Sequence, residues 1–392
     1  MSIEEVRILT VSGDAGGTQA LAPVVAHLQG QPNVSVAAYG YRWAPAIFDA
    51  KGLACNLLPT EISSGAIGDL LTAFKPDLVF TATSIGPDSL ESWFISVAKK
   101  LGISTLTVLD YWSRYTERFM TTDGPEWQQS LPDCIAIMDE ETKFRMVELG
   151  FVPERLNVTG QPALDALHLL RSVTTATSRL NTRQAHDVDD SAMLITFLSS
   201  PVSSDHSEGT GNANELGYTE LSALELLITE LEHVAEGQGR QVHLLIKPHP
   251  RDPKGHFAHV RSNKVRVSVV DAIDHRELTL ASDLVVGIIS IALLEACLLG
   301  KPVISLQPGL LTEDMLPSNR WGATIPVHNA ADLRSLLQQF LDGTLLSHPE
   351  RVPELLRDGH GTERVATLAL AMAQRMTGSQ LVDRPPAMET NS

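Results

Sequence analysis

The chain has 392 residues, 43% of them hydrophobic, with 47 acidic and 30 basic side chains and a net charge of −17 when histidine is neutral. That length exceeds what one ordinary core uses and predicts two domains. The charge argues against nucleic acid or an anionic membrane surface as the main partner, but leaves room for small anionic ligands, which need only a local cationic pocket.

Short apolar runs alternate with amphipathic stretches along the chain. The runs "VRILTVS" (6–12), "VSVAAY" (34–39), "DLVFTA" (77–82), "ISTLTVLD" (103–110) and "CIAIM" (134–138) predict buried parallel strands. Helical patterns such as "TQALAPVVAHLQ" and "DSLESWFISVAKKLG" lie between them. The pattern fails over 173–190, "VTTATSRLNTRQAHDVDD", a polar stretch suited to a linker or a ragged helix end. It resumes with "AMLITFL" (192–198), "VHLLI" (242–246), "VRVSVV" (265–270), "DLVVG" (283–287) and "PVISL" (302–306). Helices are expected over 219–235, 290–300 and 330–342.

Two successive βαβ series predict two Rossmann-like, doubly wound α/β domains facing each other across a cleft. Their expected spans are 1–172 and 191–361, joined by the linker 173–190. A helix over 362–376 is expected to pack back on the first domain, and the tail 377–392 to be disordered. Cys55, Cys134 and Cys297 are few, odd in number and without zinc or disulfide spacing, which suits a reducing compartment. "MSIEEVRILTVS" (1–12) carries two acids and no long apolar run, so no signal peptide is expected. No segment approaches the ~20 apolar residues of a membrane span. A cytoplasmic protein is the expectation.

Ligands of open α/β sheets sit beyond the carboxyl ends of the strands, which singles out three strand-to-helix loops. The first, "SGDAGGTQAL" (Ser12 to Leu21), can offer Gly13, Gly16, Gly17 and a positive helix end to an anion or hydroxyl. Its spacing fits neither the dinucleotide fingerprint nor the P-loop. Asp14 there either caps the helix or touches substrate.

The second, "HLLIKPHPRD" (His243 to Asp252), sets Lys247, His249 and Arg251 on a turn stiffened by Pro248 and Pro250. The two cations suit a phosphate, and His249 can donate to an oxygen or shuttle a proton. The plain alternative is a solvated basic turn with a helix-capping Asp252. In the third, "SDLVVGIISIALLEACLLGKPVISLQPG" (Ser282 to Gly309), a strand ends at Gly287 and Ser290 can cap the next helix. Glu295 is the one charge within "IALLEACLLG", and a buried carboxylate needs a partner. That partner is either Lys247 or a pair of ribose hydroxyls.

The order of "KPHPRD", "ELTLASDLVVG", "SIALLEACLLGKPVISLQPG" and "GHGTERVA" resembles the C-terminal domain of GT-B-fold enzymes. These include nucleotide-sugar glycosyltransferases, UDP-N-acetylglucosamine 2-epimerases, and CDP-glycerol and polysialic-acid transferases. "RLNVTGQPALDAL" (155–167) is similar to their interdomain segment, where V-T-G-x-P-x-x-D recurs. The resemblance implies a GT-B fold with a nucleotide-sugar donor in the second domain. It also implies a sugar, lipid-linked or small-molecule acceptor in the first, and neither a metal nor another cofactor. By the same resemblance Glu295 matches the ribose-binding carboxylate, and His249 with Pro250 the His-Pro motif of transferases that use CMP- or CDP-linked donors. Ser290 stands where those enzymes carry a Ser/Thr pair, here preceded by Ile288 and Ile289. "GDAGGTQ" replaces the Arg-rich loop of a 2-epimerase, which ranks glycosyl transfer above epimerisation or hydrolysis. A non-catalytic nucleotide-sugar-binding homologue is the third reading.

The site expected on these grounds joins Lys247, His249, Arg251, Gly287, Ser290 and Glu295 around the donor. The three nitrogen donors of the turn would neutralise its diphosphate as the leaving group gains charge. Asp14 or Asp110 would act as general base, with His249 a further catalytic candidate. A homodimer stays open. Among weaker signals, "DVDD" (Asp187 to Asp190) reads as a solvated acidic run in the linker. "SSPVSSDHSEGTGNANELGYTE" (199–220) reads as a lid or a disordered loop holding Asp205 and His206. In "LDYWSRYTERF" (109–119), Trp112 and Tyr115 suit either a sugar face or the core, and Arg114 and Arg118 an anionic acceptor.

Overall fold

A computed structural model describes residues 5–86, 89–120, 127–205, 215–235 and 241–374. The chain divides into two compact units, 1–165 with 358–392 and 166–357. The first elements are β1 (Val6–Ser12), α1 (Ala15–Gln29), β2 (Val34–Gly40), α2 (Ala44–Ala50), β3 (Asn56–Leu57) and α3 (Ser64–Phe74). Then come β4 (Leu78–Thr81), α4 (Leu90–Lys100), β5 (Ser104–Val108), β6 (Cys134–Ile137), α5 (Glu140–Glu148), β7 (Leu156–Val158) and α6 (Pro162–Val173). They are followed by α7 (Ala176–Ala185), β8 (Met193–Leu198), α8 (Val202–Asp205), α9 (Glu220–Ala235), β9 (Val242–Lys247) and β10 (Arg266–Val269). The chain continues through α10 (His275–Ala281), β11 (Leu284–Gly287), α11 (Ile291–Leu298), β12 (Val303–Leu306), α12 (Pro317–Arg320), β13 (Ile325–Val327), α13 (Ala330–Leu341) and α14 (Gly361–Ala373).

Each unit holds one parallel sheet, ordered β3-β2-β1-β4-β5-β6-β7 in the first and β10-β9-β8-β11-β12-β13 in the second. In both, the strand order reverses beside the first strand, between β1 and β4 and between β8 and β11. Helices cover both faces, so the central strands are apolar on both sides. Along β1, Ile8 packs into one layer with Leu21, Phe80 and Val365, while Leu9 and Val11 enter the other with Ile67 and Phe94. Along β8, Ile195 and Phe197 join the larger core with Leu244 and Val286, and Leu194 turns to Leu245 and Leu278. The short strands β3, β7 and β13, of two or three residues, have no apolar periodicity to read.

Three local devices shape the chain between the sheets. The stretch 173–190, expected as a linker or a ragged helix end, holds α7, started by a reciprocal hydrogen-bonded box between Thr175 and Ser178. Its Arg183 is buried and donates to the Asp283 carboxylate and to the Ala281 carbonyl. Polarity alone left both readings open, because anchoring by one buried arginine leaves no periodic trace. Second, the chain re-enters the first unit at Asp358, and α14 packs on α1. Third, the first amides of α14, Gly361 and Thr362, donate to the carboxylate of Asp165 at 3.0 and 2.6 Å. Asp165 ends "VTGQPALD" and Gly361 lies in "GHGTERVA", so two motifs far apart in sequence meet in one helix cap. The tail 377–392 and residues 206–214 of the expected lid, His206 included, lie outside the described residues.

Candidate functional site

In the first unit β1 and β4 diverge past Ser12 and Thr81, and their loops lie side by side. The Asp14 amide donates to Ser84 Oγ at 3.0 Å, and Asp14 Oδ2 accepts the Ile85 amide at 2.9 Å. Asp14 Oδ1 pairs with Arg42 at 2.8 Å. Asp14 stands at the N-cap position of α1, yet its side chain accepts no hydrogen bond from the helix. The expected cap is therefore absent, because Arg42 and Ile85 take both oxygens. Arg42 sits at φ +49°, a left-handed conformation rare for such a side chain, and its guanidinium lies over the Tyr41 ring.

Behind this loop lies a buried carboxyl. Glu91, 2% exposed, accepts from Tyr41, from Ser84 Oγ at 2.7 Å and from Ser89 Oγ at 2.9 Å. Ser84 thus bridges Glu91 and the Asp14 amide. Burial pushes Glu91 above the usual carboxylate range, its hydroxyl donors only partly opposing. Burial also raises the Tyr41 phenol, and the Glu91 charge adds to it.

The loop glycines are explained by close approach of the protein itself. A Cβ at Gly13 would strike the Tyr41 ring, at Gly16 the Asp110 carboxylate and at Gly17 the Thr83 carbonyl. Asp14 and Asp110, chosen from distant sequence, thus come to the same loop. Asp110 Oδ1 accepts from Thr83 Oγ1 at 2.6 Å and from Arg118. Arg118, expected for an anionic acceptor, is buried in this pair. Trp112 and Tyr115 are buried as well, and Trp112 Nε1 donates to Asp139 at 2.6 Å, which favours the core alternative.

In the second unit Lys247 ends β9 and His249 lies two residues on, in the turn. Asp252 closes that turn by accepting the His249 amide at 2.8 Å; no helix starts there for it to cap. The Arg251 amide donates to His249 Nδ1 at 3.1 Å, so the neutral ring carries its proton on Nε2. Lys247 Nζ donates to the Asp271 carbonyl at 2.7 Å, and burial lowers its pKa against the pull of Asp271 and Asp274.

At the switch between β8 and β11, Gly287 leaves room for the Leu198 carbonyl and the Leu293 side chain. Ser290 caps α11, accepting the Ala292 amide at 3.2 Å. The neighbouring Ser199 and Ser200, each 5% exposed, have hydroxyls without a hydrogen-bond partner among the described residues. The Ser199 amide is tied to the Lys247 carbonyl at 3.0 Å. An unsatisfied buried hydroxyl costs roughly 1–3 kcal/mol, which a bound polar group would relieve.

Glu295 lies one turn into α11 and does not pair with Lys247. It accepts from His275 Nε2 at 2.5 Å and, in a two-pronged pair, from Arg276 Nε and Nη2 at 3.0 and 2.7 Å. Burial alone would raise this carboxyl, but Arg276 and His275 outweigh it and hold it at about 2. The carboxylate assigned to ribose hydroxyls is therefore already engaged by protein donors. Reading the sequence missed Arg42, Ser84, Glu91, Ser199, Ser200 and Arg276. "LSSP" directly after β8 was the one available signal; the others act through contacts distant in sequence.

Two parallel sheets of seven and six strands, each reversing beside its first strand, make the two-domain α/β GT-B fold. No family model and no curated protein sequence matches the chain. Solved structures do match. UDP-GlcNAc 2-epimerase from Neisseria meningitidis bound to UDP-GlcNAc is 16% identical with a TM-score of 0.65, over 93% of this chain and 99% of that one. A putative UDP-N-acetylglucosamine 2-epimerase from Listeria monocytogenes is 16% identical with a TM-score of 0.67, over 98% and 100%. A glycosyltransferase from Rickettsia africae is 13% identical with a TM-score of 0.64, over 96% and 100%.

Proposed function

We propose that the chain is an enzyme acting on a nucleotide-activated sugar, and that epimerisation of that sugar is its reaction. The observation carrying this reading is the cationic and hydroxyl-rich edge of the second sheet, where Lys247 and the His249 turn adjoin the unpartnered Ser199 and Ser200 hydroxyls. Such an edge, at a strand-order reversal, suits a diphosphate. Several fold neighbours are UDP-GlcNAc 2-epimerases, two of them holding UDP-GlcNAc, which supports a uridine donor and a reaction without acceptor. Glu295 would meet the ribose only by sharing or exchanging its bonds to His275 and Arg276.

Inverting a carbon that bears hydrogen needs one group to take a proton and one to return it. Asp14 and Asp110 are the candidates in the first unit, and His249 is a third. Glycosyl transfer is the second reading. It is favoured by "GDAGGTQ" in place of an Arg-rich loop and by the glycosyltransferase among the neighbours.

The test is NMR of UDP-GlcNAc incubated with the protein in deuterium oxide, without acceptor. Epimerisation gives a new sugar nucleotide with deuterium at the inverted carbon. Turnover only when an acceptor sugar is added would replace this reading with transfer. Absence of turnover in every condition would defeat both.

A further inference from the structure

We propose that the second unit carries a separate site for an anionic amphiphile, a molecule with an apolar chain and a carboxylate or phosphate head, between α6, α7 and α10. A cavity of about 940 Å³ opens there, within the size range of small-molecule sites. Leu169, Leu170 and Val173 of α6 line it, facing Leu280 and Ala281 of α10. Leu169 and Val173 are 64% and 61% exposed, so among the described residues this apolar stripe lies open.

The end of the cavity near Leu280 and Ala281 adjoins a gathering of cations. Arg179 and Arg183 pair with Asp283, and Lys301 feels those three groups and Arg171, so cations outnumber the acid beside it in a chain of net charge −17. Arg183 is committed to Asp283 and to the carbonyls of Ala281, Asp189 and Ala192. Arg179 pairs with Asp283 and also lines the cavity. Lys301 Nζ donates to the Leu280 and Ser282 carbonyls at 2.8 Å each.

Arg171 has no ion-pair or hydrogen-bond partner among the described residues. Its guanidinium rests on Gly300, which at φ +83° and without a Cβ gives it room. Burial and Arg179, with Asp283 opposing, bring Lys301 down to about 8, as a positive surround should. The cavity's other end is acidic: Arg276 holds Glu295, while Asp274 and Glu277 line the wall, Glu277 accepting only from the Thr182 hydroxyl among the described residues.

The head group therefore belongs at Arg171, Arg179 and Lys301, with the chain along α6. Asp283 and Lys301 precede β11 and β12, at the sheet's amino edge and away from the Lys247 turn. Isothermal titration calorimetry of the full chain with decanoate, decyl phosphate, decanol and inorganic phosphate tests the site. Decanoate or decyl phosphate should bind, the tighter one naming the head group. Decanol and inorganic phosphate should each bind at least about tenfold more weakly.

Arg171→Glu and Val173→Asp, both at exposed positions, should each weaken binding about tenfold while leaving the melting temperature unchanged. Equal binding of decanol, or of inorganic phosphate alone, would overturn the proposal. So would variants that bind like the wild type, or failure of both amphiphiles to bind.

Discussion

Glu295 is the only charged residue of α11, and the fold answers it with His275 and Arg276 from the start of α10. Replacing it by glutamine removes the charge facing the Arg276 guanidinium, which is mostly buried, so Glu295→Gln should cost about 3–5 kcal/mol in urea unfolding. An unchanged midpoint would remove the pair from the list of what holds α10 to α11. The carboxyl is held at about 2 against an ordinary 4.5, so its contribution is complete above 4.5 and is lost as pH falls toward 2.

His243 acts earlier in the same titration. Burial first, then Arg266 and Arg183, lower it from 6.5 to about 4, so the unfolded chain takes up its proton before the folded one does. Stability should therefore start to fall as pH drops below about 6.5, and His243→Asn should flatten that first step of the urea midpoint against pH. Asp14→Asn keeps an acceptor for the Ile85 amide but loses the charge on Arg42. If Asp14 moves a proton, kcat should drop about 10²–10⁴-fold with KM little changed. A fall in KM affinity alone would make it a binding residue.

The sequence marks Glu295 as needing a partner because a charge inside an apolar helix is visible in one dimension. It does not name the partner, since Lys247 at the end of β9 and Arg276 in the first turn of α10 are both cations distant from it in sequence. Ser290 was readable as a cap because only its own helix competes for it. Asp14 was not, because Arg42 and Ile85 reach it from loops that no local pattern connects.

Among the elements, the central strands were legible because both faces are buried and the apolar runs are continuous. The edge strands β3 and β13 are too short to carry a pattern, and α7 is amphipathic only through Arg183 and its box. The Asp165 cap gives a test at this scale. Asp165→Ala frees the Gly361 and Thr362 amides and should cost about 1–2 kcal/mol. Hydrogen exchange should speed up first at those two amides, while exchange in β1 and β4 follows only the global loss. Unchanged protection at Gly361 and Thr362 would mean that α14 is held by its packing alone.

At the scale of the molecule, a strongly acidic chain still gathers cations locally. Two such gatherings lie on the second sheet: the turn of Lys247, His249 and Arg251 at the carboxyl edge, and the group around Asp283 at the amino edge. The fold class was readable from the alternation of apolar runs and helices. The reaction was not, since epimerases and a transferase share this architecture and differ in what their loops hold. Thermal unfolding with UDP, CDP, CMP, GDP and ADP, on the wild type and on Ser199→Ala with Ser200→Ala, addresses the nucleotide edge itself. One nucleotide at ~100 times its dissociation constant should stabilise the wild type by about 2.7 kcal/mol, and the double substitution should shrink that gain without lowering the unliganded midpoint. A flat response to all five nucleotides would contradict the nucleotide-sugar reading of this edge.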